Sequence, residues 1–335
     1  MSSQNKVITI VIPFYNTDPS LFSKCLQRLE RLPVEDVEVI VVDDGSDAVH
    51  AGYLDRVSRG SSCDVSVYHK KNGGQNSARE YGMCLARGEY LLFHDSDDYI
   101  EVEPMRKVVD RLRASDVDVL AFGYDLVSVS GGVLGVVSPW KEGFTSISKK
   151  ELLINSDGLW RQCYRLDLLC QFAGGLAQGL KIGEDLASAL ACAANSKSAE
   201  SFGSIVYHYV QRPDSVLHAP DPESTFDILK SFEYVFGHCE YESEAMAEEI
   251  EWMAILHVLR WGSERAINNH CDLDDVKKVF FSWMNSYFPH WRQNSYLSKE
   301  KIAKTPFFVC SINGHWGVCR LLSTIGRVVA KSTAK

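Results

Sequence analysis

The sequence predicts an α/β fold in which helices cover both faces of a mainly parallel sheet and a helical C-terminal region follows. Short β-branched, apolar runs alternate with amphipathic stretches over the first third of the chain. The runs are apolar along their whole length, as in strands that are buried on both faces. Beyond residue 220 the apolar spacing is helical.

The elements follow from this alternation. Strands are predicted at five apolar runs, residues 7–13, 37–43, 65–69, 89–95 and 117–123. Helices are predicted at the amphipathic stretches between them, residues 21–32, 53–58, 77–86 and 105–114. The Ser-, Gly- and Val-rich residues 124–137 indicate a hairpin or loop, and later patterns indicate helices at 149–155 and 185–194 and a strand at 204–209.

A proline-rich break at residues 212–222 indicates a boundary, which we place after residue 218. It separates a domain of residues 1–218 from a helical region of residues 219–335, with helices expected at 225–237, 244–268 and 273–287. From Lys299 onward the chain is basic and amphipathic, with Glu300 as its sole acidic residue. The sequence leaves open whether this region contacts an anionic membrane, forms a homodimer interface or packs as ordinary helices.

Composition excludes several classes of protein. The chain has 335 residues, of which 45% are hydrophobic and 24% charged, as in soluble globular proteins. A net charge of −9 argues against a nucleic acid partner. Ten cysteines without a Cys-x-x-Cys pair argue against a zinc ribbon or redox motif. No secretory h-region and no apolar run of about 18 residues is present, so a cytoplasmic location is expected.

The acidic cluster at the end of the fourth predicted strand is the most informative motif. Asp95, Ser96, Asp97 and a third carboxylate follow the apolar residues 89–93. Two aspartates one residue apart can present oxygen ligands to Mg²⁺ or Mn²⁺. Ligands bind at the carboxyl ends of strands in open sheets of this class. The alternative is a cap and turn leading into the helix at Pro104.

Polar and aromatic groups follow the other strands as well. If the sheet is parallel, these groups converge at one edge; they are Pro13, Tyr15, Asp43, Asp44, Asn72 and Arg79. Together with the acidic cluster they suit a nucleoside diphosphate, because a ring can hold the base, a carboxylate the ribose, and a cation with an arginine the pyrophosphate. No Gly-x-Gly-x-x-Gly follows the first strand and no P-loop motif occurs, which argues against a dinucleotide-binding protein and a P-loop enzyme.

Residues 7–16, 39–46 and 87–98 resemble the signature blocks of family 2 glycosyltransferases, which are inverting enzymes with the GT-A fold. The resemblance covers roughly residues 6–216 in the family's order. It implies a Mn²⁺ or Mg²⁺ site at Asp95 and Asp97, with Asp97 as the direct ligand. It also implies a nucleotide-sugar donor, its uracil and ribose held by Tyr15, Asp43 and Asp44 and its diphosphate by Arg79. The donor-binding residues implied are Pro13, Tyr15, Asp43, Asp44, Asn72, Arg79, Asp95, Ser96 and Arg212.

The candidate general base and the candidate acceptor-side residues lie in the second part of this domain. Residues 183–186 resemble the family's Glu-Asp motif, which implies Asp185 as general base with Glu184 beside it. Without the family, the pair would be an acidic helix N-terminus favoured by the dipole. Trp160, Tyr164 and His208 match positions on the acceptor side, and the alternative for each is a packed core residue.

Three departures from the family pattern bear on specificity rather than on the reaction. His94 stands where leucine is frequent, and it is either a pH-sensitive neighbour of the metal or an exposed residue. Arg161 stands where many members carry lysine, and Glu80 stands where asparagine is frequent.

The expected function is transfer of a sugar from a UDP-linked donor to a sugar hydroxyl with inversion to a β-linkage. Residues 288–296 resemble a block of bacterial capsule and O-antigen enzymes, whose acceptor is a glycan on polyprenyl diphosphate at the inner leaflet. A sugar nucleotidyltransferase should carry a Gly-rich basic loop after the first strand, which Pro13 and the residues after it do not provide. A non-catalytic binding module has no chemical reason to retain Asp185 together with Asp95 and Asp97.

Overall fold

The computed structural model describes residues 6–61, 63–171, 176–212, 221–239 and 246–333, with side chains up to residue 325. It divides into two compact units, Met1–Gly179 with Glu184–Arg212 and Leu180–Gly183 with Pro213–Lys335. The predicted boundary after residue 218 and most of the proline-rich break lie outside the described residues.

The described strands of the first unit form one sheet. They are β1 (Lys6–Phe14), β2 (Val37–Asp43), β3 (Val65–His69), β4 (Gly88–Phe93), β5 (Tyr99–Ile100), β6 (Val119–Ser128), β7 (Val133–Val137), β8 (Phe144–Ser146), β9 (Gln162–Arg165) and β10 (Ala199–Gln211). The five strands predicted in the first third of the chain are therefore all present, and residues 124–137 form the β6–β7 hairpin.

The predicted fold class is confirmed, with a sheet that is mixed rather than wholly parallel. Its order is β3-β2-β1-β4-β9-β6-β10-β5, with β7 paired to β6 and β8 to β10. The four strands from β3 to β4 are parallel, so their carboxyl ends share one edge. The short β9 lies antiparallel between β4 and β6, and β6 is parallel to β10.

The helices occupy both units. Those of the first unit are α1 (Pro19–Leu29), α2 (Ala48–Gly60), α3 (Gln75–Leu85), α4 (Val102–Arg113), α5 (Lys149–Leu153), α6 (Leu166–Cys170) and α7 (Glu184–Asn195). Those of the second are α8 (Asp227–His238), α9 (Ala247–Ala254), α10 (Trp261–Asn268), α11 (Leu273–Tyr287), α12 (Tyr296–Lys299), α13 (Pro306–Ile312) and α14 (Trp316–Thr333).

Strand β1 is apolar on both faces because a helix packs on each. Ile10 and Ile12 belong to the same buried cluster as Met105 of α4. On the other face Val11 meets α3, where a Cβ added to Gly82 would lie 2.5 Å from the Val11 Cγ1 atom. The absent side chain at Gly82 therefore lets α3 approach the sheet closely.

Two elements are longer than predicted, for local reasons. Helix α2 was expected at residues 53–58 but begins at Ala48, because the Asp47 carboxylate accepts hydrogen bonds from the amides of Val49 and His50. Strand β10 was expected at residues 204–209 but runs over 13 residues, since it pairs with β6, β8 and β5.

The second unit is helical, as predicted. Its interior contains fully buried aromatic side chains, among them Phe232, Phe280, Trp291 and Trp316. The expected long helix over residues 244–268 is interrupted by a π-helical turn at Ile255–Arg260 between α9 and α10. Among the described residues, no helix combines the length and apolar character needed to cross a membrane.

Candidate active site

Asp43 ends β2 and is held from two sides. Its Oδ1 atom accepts a hydrogen bond of 2.9 Å from the amide of Ser46, and its Oδ2 atom lies 2.6 Å from the Nδ1 atom of His69. His69 also contacts Asp55 through Nε2, at 3.3 Å. The hydrogen bond to Asp43 raises the pKa of His69, which favours its charged form.

The carboxylate of Asp44 anchors the loop between β3 and α3. It accepts a hydrogen bond of 2.6 Å from Lys70 Nζ and bonds of 3.0 and 2.8 Å from the amides of Gly73 and Gly74. The Asn72 side chain donates to the Asp44 carbonyl at 2.8 Å. Asp44 is only 3% exposed, so its contacts hold in place the loop from which α3 begins.

The residues after β1 lie at the same edge. Pro13 is buried within β1 opposite Val42, whereas Tyr15 is 57% exposed immediately after the strand. Two residues further on, the hydroxyl of Thr17 lies 2.6 Å from that of Ser96. The loop after β1 is thereby linked to residues 95–98 after β4, which carry the acidic cluster and are called the acidic turn below.

The three carboxylates of the acidic cluster point to different environments. Asp95 accepts hydrogen bonds of 2.9 Å from Arg79 and from Gln75. Asp97 forms an ion pair of 2.7 Å with Arg212. The side chains of Asp95 and Asp97 are 18% and 21% exposed, whereas Asp98 is fully buried and burial raises its pKa.

Arg79 joins the acidic turn to α7. Its guanidinium is fully buried and contacts Asp95, Asp185 and Asn76, the contact to Asp185 involving both carboxylate oxygens. The two acids belong to segments far apart in sequence, and the arginine brings them to one point. The predicted diphosphate-binding arginine is thus also the centre of an ion-pair network.

Glu184 and Asp185 form the first turn of α7. Burial raises the pKa of both carboxyls, and the charge of Asp185 adds to the effect on Glu184, whose pKa is raised to about 8. For Asp185 the Arg79 charge opposes the rise. A carboxylate whose pKa is raised in this way is a stronger proton acceptor than an ordinary aspartate.

The predicted acceptor-side residues occupy three different settings. Trp160 is half-buried, with its ring centre 4.8 Å from that of Tyr207 and 5.3 Å from that of Tyr209. Tyr164 is fully buried in β9 and does not reach the surface. His208 lies 2.6 Å from Asp125.

His94 is not exposed, so that alternative is wrong. The side chain is fully buried, its Nδ1 atom lies 2.8 Å from the carbonyl oxygen of Asp95, and burial lowers its pKa to about 4. The imidazole is therefore neutral near pH 7 and cannot act as a switch there. Arg161, the second departure, is also buried and contacts Asp157, with its guanidinium 4.7 Å from the Tyr124 ring centre.

The acidic turn has the donor set of a hard-cation site. No group of three or more metal-binding side chains occurs in the described part of the chain. Mg²⁺ in nucleotide sites is held by one or two carboxylates, with substrate phosphates and water completing its shell. Asp97 and Asp95, which are partly exposed at the strand edge, fit that requirement.

Four polar residues at this edge were not among the predicted site residues: His69, Lys70, Gln75 and Asn76. His69 ends β3 and Lys70 directly follows it. Both could therefore have been predicted from their position at the carboxyl end of a strand. Asn76 lies one helical turn before Arg79 on the same face, which places its side chain beside the guanidinium.

Comparison with known proteins agrees with this architecture. Residues 9–163 match the family described as Glycosyl transferase family 2. EpsJ of Bacillus subtilis, an uncharacterized glycosyltransferase, is 25% identical over 227 residues, which are 64% of this chain and 64% of EpsJ. The poly(ribitol-phosphate) beta-glucosyltransferase of Bacillus spizizenii is 25% identical over 81% of this chain and 41% of that protein. The chain thus spans less than two thirds of the length of these relatives.

Among solved structures, residues 1–349 of TarS from S. aureus in complex with UDP share the fold. That structure gives a TM-score of 0.70 at 18% identity and covers 96% of this chain and 91% of the TarS fragment. The same fragment with UDP-GlcNAc gives a TM-score of 0.59 at 20% identity over 91% of this chain and 79% of that one.

Proposed function

We propose that this chain, which carries a glycosyl transferase family 2 domain with the GT-A fold, transfers a sugar from a UDP-linked donor to a hydroxyl of a growing surface glycan. The observation that carries the proposal is the junction of Arg79, Asp95 and Asp185 at the carboxyl edge of the parallel strands. It combines a cationic group for a diphosphate with an acid placed to take a proton.

The donor side is supported by the residues around it. Tyr15 presents an exposed ring at the strand edge, next to the buried carboxylate of Asp43. A ring can stack on uracil, and a carboxylate can accept hydrogen bonds from its N–H or from ribose hydroxyls. The neighbours solved with UDP and with UDP-GlcNAc share this fold, which supports a uridine donor carrying a hexose or N-acetylhexosamine.

The transfer inverts the anomeric carbon. The acceptor oxygen forms a bond to that carbon while the bond to the donor diphosphate breaks, and the electron pair of the broken bond leaves with the diphosphate. The acceptor proton passes to the Asp185 carboxylate, with Glu184 beside it. Mn²⁺ or Mg²⁺ held by Asp97 and Asp95 would supply positive charge for the departing diphosphate.

The acceptor is a surface glycan of the capsule, O-antigen, exopolysaccharide or teichoic acid type, carried on a lipid diphosphate at the inner membrane face. The poly(ribitol-phosphate) glucosyltransferase supports a polymer acceptor. Trp160 is the residue we assign to the acceptor sugar, because its half-buried ring offers an apolar surface against Tyr207, whose hydroxyl bonds to the acidic turn.

The second unit is proposed to make peripheral contact with that membrane through α14. Residues 301–335 contain six Lys and Arg residues and no acidic residue. On α14 the side chains of Val318, Leu321 and Ile325 are exposed, whereas Trp316 and Cys319 are buried on the opposite side. An apolar stripe within a basic, acid-free segment fits an anionic lipid surface.

Vesicle sedimentation tests this contact. Wild type should sediment with vesicles of anionic phosphatidylglycerol and less with phosphatidylcholine, and Leu321→Ser should weaken the binding. Absence of sedimentation with either lipid overturns the membrane contact. Concentration-dependent dimers that Leu321→Ser dissociates would assign the stripe to a homodimer instead.

A donor screen tests the transfer activity. Thermal stabilisation and slow donor hydrolysis should be measured with UDP-, GDP-, dTDP- and CMP-sugars, each with Mn²⁺ and with EDTA. A metal-dependent response to one UDP-sugar is expected, and it identifies the sugar. A response to a UDP-sugar without any turnover, even with added acceptors, would favour a binding module, and silence across the panel would overturn the proposal.

A further inference from the structure

The acidic turn has an inner and an outer side. Asp95 and Asp97 reach the strand edge, whereas Asp98 points inward and is fully buried. The Asp98 amide donates to the Asp95 carbonyl oxygen at 3.2 Å, which closes the turn. The direction in which the outer carboxylates point therefore depends on how the inner side is held.

Tyr207 of β10 holds the inner side at two points. Its hydroxyl donates a hydrogen bond of 2.8 Å to the Asp98 Oδ2 atom and accepts one of 3.1 Å from the Asp95 amide. The other Asp98 oxygen accepts a bond of 2.7 Å from the Val210 amide. One hydroxyl thus joins both ends of the turn to a strand of the sheet.

The ring of Tyr207 makes a second connection. It is fully buried, with its centre 4.8 Å from that of Trp160 and 4.9 Å from that of His94. The residue therefore touches the acidic turn with its hydroxyl and the ring of Trp160 with its face.

We propose that Tyr207 is a positioning residue whose hydroxyl holds Asp95 and Asp97 in the orientation that receives the donor diphosphate and its cation, and whose ring packs on Trp160. The inference rests on the proposed function for what the turn binds. It adds a determinant of donor binding that does not itself touch the donor.

Tyr207→Phe removes the hydroxyl and keeps the ring. The Asp95 amide then loses the partner that orients it, and the buried Oδ2 atom of Asp98 loses its donor. Tyr90→Phe is the matched control, because it also removes a hydroxyl from a fully buried tyrosine, one that donates to the Ser115 carbonyl oxygen at 2.9 Å and not to the acidic turn. UDP binding should be measured by calorimetry for both variants, with Mn²⁺ and with EDTA, alongside thermal unfolding.

Wild type should bind UDP much more tightly with Mn²⁺ than with EDTA. In Tyr207→Phe we expect that ratio of dissociation constants to fall about tenfold, because the Asp95 amide loses the hydrogen bond that orients it. Tyr90→Phe should keep the ratio. A Tyr207→Phe protein that unfolds earlier but keeps the wild-type ratio would show a purely structural role and overturn the inference.

A second comparison applies if Tyr207→Phe does not fold. Asp98→Asn alone replaces one of the two accepting oxygens by an NH2 group but leaves the Tyr207 hydroxyl in place. Tyr207→Phe with Asp98→Asn carries the same change and lacks the hydroxyl, so the difference between the two variants reports the hydroxyl. The double variant should show a lower ratio than Asp98→Asn; equal ratios would overturn the inference. Wild type that binds no UDP in either condition overturns the proposed function and this inference together, whereas an unchanged ratio in the variants overturns this inference alone.

Discussion

Two sets of aspartates at the carboxyl edge of the sheet are held in different ways. Asp43 and Asp44 are almost fully buried and receive bonds from backbone amides, whose positions are fixed by the fold. Asp95, Asp97 and Asp185 are each about one fifth exposed and are held by arginine side chains. Amide contacts build a scaffold, whereas guanidinium contacts can be exchanged for those of a ligand.

The largest effect on activity should come from Asp185, one of the carboxylates held by an arginine side chain. Asp185→Asn should lower the turnover of sugar transfer by about 10³-fold, because the acceptor proton loses its base. Binding of UDP should change little, since Arg79 keeps its contacts with Asp95 and Asn76. Transfer assays and UDP calorimetry on the same preparation measure both quantities.

Glu184→Gln is the matched control and should lower turnover less. Near-normal turnover of Asp185→Asn would show that Asp185 is not the base. If Glu184→Gln lost all turnover at the same time, Glu184 would be assigned as the base instead.

Among the buried aspartates that accept bonds from backbone amides, a substitution should lower stability. Asp44→Ala leaves the amides of Gly73 and Gly74 without their acceptor and Lys70 without its carboxylate partner, and should lower the free energy of unfolding by about 3 kcal/mol. Asp97→Ala breaks a partly exposed ion pair and should cost less than about 1 kcal/mol. Urea unfolding of both variants measures the contrast, and similar losses would remove the distinction between the two groups.

The pH dependence of transfer sharpens the contrast further. Burial raises the pKa of Asp185, so its carboxylate is protonated at a pH where an ordinary aspartate is charged. A protonated carboxyl cannot accept the acceptor proton, and kcat/KM should fall on acidification around an apparent pKa above the usual value of about 4. A profile that stays level down to about pH 4 would contradict the assignment.

The smallest effect concerns His69 on the scaffold side. The folded state raises its pKa through Asp43, so its contribution to stability is present below the unfolded value of about 6.5 and is lost as the pH rises through the folded value. Wild type should therefore exceed His69→Gln in unfolding free energy at about pH 5.5, with the gap closing by about pH 9. A gap that grows with pH would reverse the sign and refute the interaction.

Much of the site was accessible from the sequence because parallel strands end at one edge. That geometry placed Tyr15, Asp43 and Asp95 together before any contact was known. The same logic extended to Arg79, which enters the site on the helix after β3.

The rest depends on contacts between segments far apart in the chain. The pairing of Arg79 with Asp185 and the bonds from Tyr207 to the acidic turn have no local signal. The complete burial of His94 and Asp98 could not be predicted from their residue types, since histidine and aspartate are seldom fully buried. The role of Asp44 was hidden for a similar reason, because a loop anchor and a ligand use the same side chain.

Gly82 has a consequence for how far the arginine can be moved. It lies one turn after Arg79 on the face of α3 that meets β1, where a methyl group would come within 2.5 Å of Val11. Gly82→Ala therefore requires either the buried Val11 side chain or α3 itself to shift, and a shift of α3 would move the guanidinium relative to Asp95 and Asp185. A position without a side chain thus helps to set how deeply the positive charge lies, although it contributes no charged or polar group of its own.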